Sequence, residues 1–236
     1  MICVSLAFGQ TPDFLHPQQK GLFQANGIAF LELDGYTDPV NVSDVATVDQ
    51  TIQELKATGT NLVKLTFNMS VKNATDNVYD PAVPLPQNGQ PANIVAFGQK
   101  LTAEEIACYV QPFSQVENVV VGSGGSDRVN PTDPRAFMAQ HIQRLVYLAQ
   151  LGESMGCEYY GLFGDEIEHL VVDPKLTDLW LQAIAQIRAV FSGRLTSTSA
   201  SGEHGGAYSF RHQPSVIGAL DSFGIGRLAP GVNRDT

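Results

Sequence analysis

Cationic side chains are scarce in this chain of 236 residues: 14 Lys and Arg stand against 24 Asp and Glu, for a net charge of −10. Binding to a polyanion works by counterion release from clustered cations, and here the few cations are scattered. Nucleic acid and anionic membrane surfaces are therefore not expected partners, and a neutral ligand suits the charge best. Cysteine is scarce too. Cys3, Cys108 and Cys157 are odd in number, and their spacings match no zinc or redox motif, so they read as small core residues. No apolar run approaches the ~18 residues of a membrane span. The apolar opening MICVSLAF lacks a positive n-region and is too short to be read as a secretory signal.

What the chain does have is a repeated junction of amphipathic helix, glycine and apolar strand. It occurs as ELKATGTNLVKL, LGESMGCEYYGL and AVFSGRLTSTS, with Gly59, Gly156 and Gly193 where a helix would end in the left-handed conformation. Helix starts are marked by Ser43-Asp44, by Asp133-Pro134 and Asp173-Pro174, and by Thr102-Ala-Glu-Glu105, which reads as a capping box. Met138, Ile142, Leu145 and Ala149 form one apolar stripe, and Leu176, Trp180, Ile184, Ile187 and Phe191 another, which makes Trp180 a core residue. Strands are expected at 27–34, 61–68, 117–122, 157–164, 194–199 and 221–226. Helices fit between most of them, as parallel strands require. The expected fold class is α/β, a TIM (β/α)8-type barrel with about six β/α units present. A complete barrel takes about 250 residues, so residues 1–236 read as a single barrel domain whose C-terminal part is missing. The segment 72–101 is rich in Asn, Pro, Gly and Gln and reads as a long loop at the barrel mouth; 200–212 reads as a second.

Carboxylates at strand exits carry chemistry in such barrels. In YYGLFGDEIEHL, Asp165 and Glu166 follow the fourth strand. Glycoside hydrolysis needs two carboxyl groups, one of them an acid of raised pKa. Phe163 and Asp165 would raise that of Glu166 through apolar and like-charged surroundings. The bland alternative is an acidic first turn of a short helix. Asp34 and Tyr36 end the first strand and Asn68 the second, where they would meet sugar hydroxyls or simply shape turns. Tyr79 offers a ring to a sugar, or anchors its loop. His204 lies at the fifth strand's exit as a further sugar contact. Lys64 and Thr66 alternate with apolar neighbours and would fill the barrel interior. GSGGSD at 122–127 lacks the spacing of a phosphate-binding loop and reads as a flexible one.

These pieces, in order, resemble the (β/α)8 glycoside hydrolases of the large retaining clan, and most closely family 113, which are typically endo-β-1,4-mannanases. IQELKATGTNLVKLTF looks like the family's first helix and second strand. NPTDPRAFMAQHIQRLVYLAQLGESMGCEYYGLFGDEIEHL looks like its third helix and fourth strand. LWLQAIAQIRAVFSGRLTSTSA and LDSFGIGRLAP look like the units that follow. The resemblance implies Glu166 as general acid/base, matching the family's Gly-Thr-Glu, with Asp165 in place of Thr to accept a sugar hydroxyl. Three departures stand against it. The nucleophile belongs to a seventh strand, and six are seen. Arg227-Leu228 stand where an aromatic is usual. Gly122 to Asp127 stand where the third strand usually ends in a Lys-Pro-like element. The expected function is hydrolysis of β-linked polysaccharide, possibly β-mannan, by a retaining mechanism. A non-catalytic carbohydrate-binding barrel is the alternative, followed by a metal-dependent hydrolase using Asp165 to His169. No metal or organic cofactor is implied. The partner would be a carbohydrate substrate, and the family analogy favours an extracellular or periplasmic site.

Overall fold

The computed structural model describes residues 28–32, 44–80, 91–116, 129–164, 167–200 and 214–226. Its strands are β1 (Ile28–Glu32), β2 (Leu62–Val71), β3 (Ala107–Val116), β4 (Tyr159–Gly161), β5 (Arg194–Ala200) and β6 (Ser222–Gly226). Its helices are α1 (Val45–Ala57), α2 (Pro91–Ala103), α3 (Pro134–Met155), α4 (Glu168–Val172), α5 (Thr177–Arg188) and α6 (Pro214–Gly218). The six strands form one sheet in the order β1-β2-β3-β4-β5-β6, and every neighbouring pair is parallel. A doubly wound sheet reverses its strand order at a switch point. Sequential order with a helix between each pair is instead the winding of a β/α barrel.

The two faces of this sheet are chemically different. On β2, Val63, Leu65, Phe67, Met69 and Val71 are no more than 1% exposed. They point to the helices and meet α1 (Val48, Ile52, Leu55), α2 (Ile94, Phe97, Leu101) and α3 (Met138, Ile142, Leu145) in one apolar core. On β4, Tyr160 faces the same way. Its ring lies 5.7 Å from Phe191, and its hydroxyl donates to the Leu145 carbonyl at 2.7 Å. The alternate residues Lys64, Thr66, Asn68 and Ser70 occupy the other face, which in this winding is the interior.

Several helix signals hold. Asp44 caps α1 by accepting from the Ala46 amide, and Asp133 caps α3 by accepting from the Ala136 amide. Gly59 and Gly156 take φ of 70° and 77°, the left-handed conformation expected of them. Gly193 does not. A Cβ there would lie 2.6 Å from Phe191 Cζ and 2.7 Å from the Glu158 carbonyl oxygen, so close approach explains it. Asp173 and Pro174 open a 3-10 turn that leads into α5.

Other expectations are corrected. Thr102 to Glu105 do not start a helix; they finish α2. Thr102 Oγ1 donates back to the Gly98 carbonyl, and Glu105 takes a left-handed φ of 61°. The segment 72–101 is not one long loop, because α2 occupies its end. Ile94, Phe97 and Leu101 give α2 a buried stripe that the polar residues around it concealed. The third strand is Ala107–Val116, with Pro112 inside it; the expected strand at 117–122 lies outside the described residues. The third strand carries Gln111-Pro112 in its middle and runs on to Val116. Finally, Cys108 and Cys157 are not merely small core residues. They form a disulfide across 49 residues, with Cα atoms 4.5 Å apart, joining β3 to the turn before β4.

Candidate active site

The interior face of the sheet is layered. In a row toward the N-terminal ends of the strands, Lys64, Tyr109, Tyr159 and Arg194 stand in register. The Lys64 ammonium lies 5.7 Å from the Tyr109 ring centre, and the Tyr109 and Tyr159 rings meet edge-on at 6.4 Å. One step up, the Tyr109 hydroxyl donates to Gln111 Oε1 at 2.9 Å, and Gln111 Nε2 donates to the Pro112 carbonyl at 2.8 Å. These side chains cross over Gly161, where a Cβ would lie 2.5 Å from Gln111 Oε1 and 2.7 Å from the Tyr109 hydroxyl. Glycine at this point of β4 is what lets the Tyr109–Gln111 pair lie flat. Higher still, Asn68 pairs with Phe113 and Ser70 with Gln115. Gln115 Nε2 donates to Ser70 Oγ at 3.3 Å.

Among the described residues of β2 to β5, charge on this face is confined to the row of Lys64 and Arg194, and on β1 Glu32 is in register with Thr66. Burial pushes the Tyr109 hydroxyl far above its ordinary pKa. It pushes Tyr159 up to about 12, with Arg194 opposing and Glu158 adding to the shift. Both phenols are therefore neutral hydrogen-bonding groups and not bases. Among the described residues, β2 to β5 contribute no carboxylate to the interior rows. Glu158 is held nearer the lower end. Burial raises its pKa, and its carboxylate accepts from the Cys108 amide at 2.9 Å.

The exit of the fourth strand is firmly held. The Leu162 amide donates to the Thr196 carbonyl at 2.8 Å, and Ser197 Oγ donates to the Phe163 carbonyl at 2.8 Å. The Phe163 ring meets Trp180 edge-on at 5.8 Å. Ile167 and Glu168, at 1% and 3% exposure, hold the other side of the exit. Asp165 and Glu166 lie outside the described residues, as do Asp34, Tyr36 and His204. Among the described residues, no group of three His, Cys, Asp or Glu is placed to hold a metal ion.

Two candidate residues are described. Asn68 is on the interior face, 5% exposed, and β2 continues three residues beyond it to Val71. Tyr79 is corrected: it lies on the helix side of the sheet, 2% exposed. Its hydroxyl meets Ser114 Oγ at 2.9 Å and His141 Nδ1 at 2.7 Å. Its ring lies 5.0 Å from Phe137, with the Arg144 guanidinium 4.4 Å from its centre. It anchors its loop and is not a ring presented to the interior. The same loop is stitched to the one before α3. Asn77 Oδ1 accepts from the Asp133 amide at 2.6 Å, the Asn130 amide donates to the Ala74 carbonyl, and Asn77 Nδ2 donates to Thr132 Oγ1 at 2.9 Å. Reasoning from sequence missed Tyr109, Gln111, Phe113 and Gln115. The signal was present as polar and aromatic residues alternating with buried ones through 107–116.

No family model matches this chain, and no curated protein matches it. Solved structures do. A GH113 beta-1,4-mannanase complex has a TM-score of 0.62 at 13% identity, covering 84% of this chain and 60% of its own. A further GH113 beta-1,4-mannanase gives 0.57 at 12% identity, covering 74% and 56%. The GH113 beta-mannanase of Alicyclobacillus acidocaldarius in complex with ManMIm gives 0.57 at 13%, covering 73% and 53%. This chain thus spans little more than half the length of these neighbours. At such identities the likeness is one of fold, a TIM-barrel, glycoside-hydrolase-like arrangement.

Proposed function

We propose that this chain belongs to a barrel that hydrolyses β-linked neutral polysaccharide, with β-mannan the first candidate, by a retaining two-carboxylate mechanism. The observation that carries the proposal is the interior face: on β2 and β3 it is polar, aromatic and uncharged above the Lys64 row, on a sheet wound like that of the mannanases. Glu166 follows the anchored exit of β4 by two residues and is the proposed general acid/base. It would protonate the leaving glycosidic oxygen, then take a proton from the water that releases the sugar. Asp165 beside it would disfavour its ionisation and keep it an acid at neutral pH. The second carboxylate of a retaining pair stands about 5–5.5 Å from the first, and the resemblance assigns it to a seventh strand.

The test is hydrolysis of β-1,4-mannan and a panel of other β-glycans by the full-length protein that carries these residues and by its Glu166→Gln variant. Turnover that the substitution abolishes is the expected result. Turnover that survives it would remove Glu166 from the acid/base role. A carbohydrate-binding barrel without turnover is the second reading, favoured by the lack of carboxylates among the described interior residues of β2 to β5. Glycan affinity without hydrolysis in either protein would establish it.

A further inference from the structure

Six phenylalanines have described side chains. Phe67, Phe97, Phe137, Phe163 and Phe191 are each no more than 2% exposed, while Phe113 is only partly buried. Its position is held from both sides. Pro112 before it has a fixed φ, pairs with Phe67, and has its carbonyl bound by the Gln111 amide. Ser114 after it is fully buried on the helix side. A rigid backbone thus presents one aromatic ring to the interior, toward the C-terminal end of β3. Its neighbours are amides: Asn68 is its register partner on β2, and Gln115 lies one step above it on the same face. Among the described residues no cation of β2 to β5 shares these rows, since Lys64 and Arg194 belong to a lower one.

Resting on the carbohydrate reading above, we propose that Phe113 is the platform on which one neutral sugar ring stacks, with Asn68 and Gln115 hydrogen-bonding its hydroxyls. A pyranose has an apolar C–H face and a polar rim, and an aromatic face bordered by amides complements both. An anionic sugar finds no charge partner there among the described residues.

The experiment is calorimetric titration of neutral β-glycan hexasaccharides (β-1,4-manno-, gluco- and xylo-oligomers) and of an anionic oligogalacturonate. It compares the native chain with Phe113→Ala, Phe113→Leu and Phe113→Tyr. Leu keeps apolar volume and Tyr keeps the aromatic face, so a variant that folds poorly does not decide the matter, and melting curves identify it. The expected result is binding of a neutral oligomer, weakened about ten-fold by Ala and Leu and held within about two-fold by Tyr. Native-like affinity in Ala and Leu would overturn the platform while leaving the carbohydrate reading intact. Absence of binding by the native chain to any neutral oligomer would overturn both, as would preference for the anionic one.

Discussion

Neighbouring residues of β2 belong to different environments. Leu65 is sealed against the helices, and Thr66 faces the interior with part of its surface open. One face of the sheet is organised for cohesion and the other for hydrogen bonding. The same alternation runs through β3, where Cys108 and Val110 pack outward and Tyr109 and Gln111 inward. Stability should therefore depend steeply on one face and weakly on the other, while ligand chemistry should show the reverse dependence.

The most severe way to break this contrast is to cut the covalent tie behind the sheet. Replacing Cys108 and Cys157 together by Ala reopens a loop of 49 residues and should cost about 4 kcal/mol by loop-closure entropy. A shift in the urea midpoint measures it, and reductant should reproduce it on the native chain. Next, Leu65→Ala should lose about 3 kcal/mol, whereas Thr66→Ala should stay within about 0.5 kcal/mol of native. Equal losses at the two positions would erase the distinction between the faces.

A third test uses pH. His141 is fully buried between Phe137, Trp180 and Tyr79, and among the described residues its Nε2 has no hydrogen-bond partner. Burial, and then the Arg144 charge, lower its pKa from 6.5 to about 3. The folded protein keeps this ring neutral, and the unfolded chain protonates it below its own higher pKa. The contribution is therefore complete above pH 6.5 and declines as pH falls toward 3, by about 2 kcal/mol at pH 5. Denaturation across this range should show that slope in the native chain and lose it in His141→Leu. A smaller effect than these losses is expected from the interior glycine. Gly161→Ala should displace Gln111 and the Tyr109 hydroxyl at a cost of about 1 kcal/mol, lowering the melting temperature by roughly 2–4 °C.

The sequence displayed α1, α3 and α5 clearly, because a capping aspartate or a long apolar stripe stood alone in each. It concealed α2, whose Ile94, Phe97 and Leu101 sit among Pro, Asn, Gln and Gly. It concealed β3 because Pro112 suggests a strand's edge or end. In the structure β3 pairs with β4 only at Tyr109 and Val110, before the proline. The disulfide was invisible because a separation of 49 residues carries no local signal. Tyr79 shows a different limit. Its loop was legible as belonging to the mouth, but the side of the sheet on which its ring would lie depends on Ser114 and His141, which are 35 and 62 residues away. The interior platform was missed for the reason β3 was: a residue has no face until its strand is assigned.

The bonds from Asn77 to Thr132 and Asp133, and from Asn130 to Ala74, make one body of the loops that follow β2 and β3. Their amides should exchange with solvent as a single cooperative unit. The two segments would then also be inherited as a pair. A lineage, or a designed library, that diversifies one of them without the other would lose the clasp before it found a new specificity.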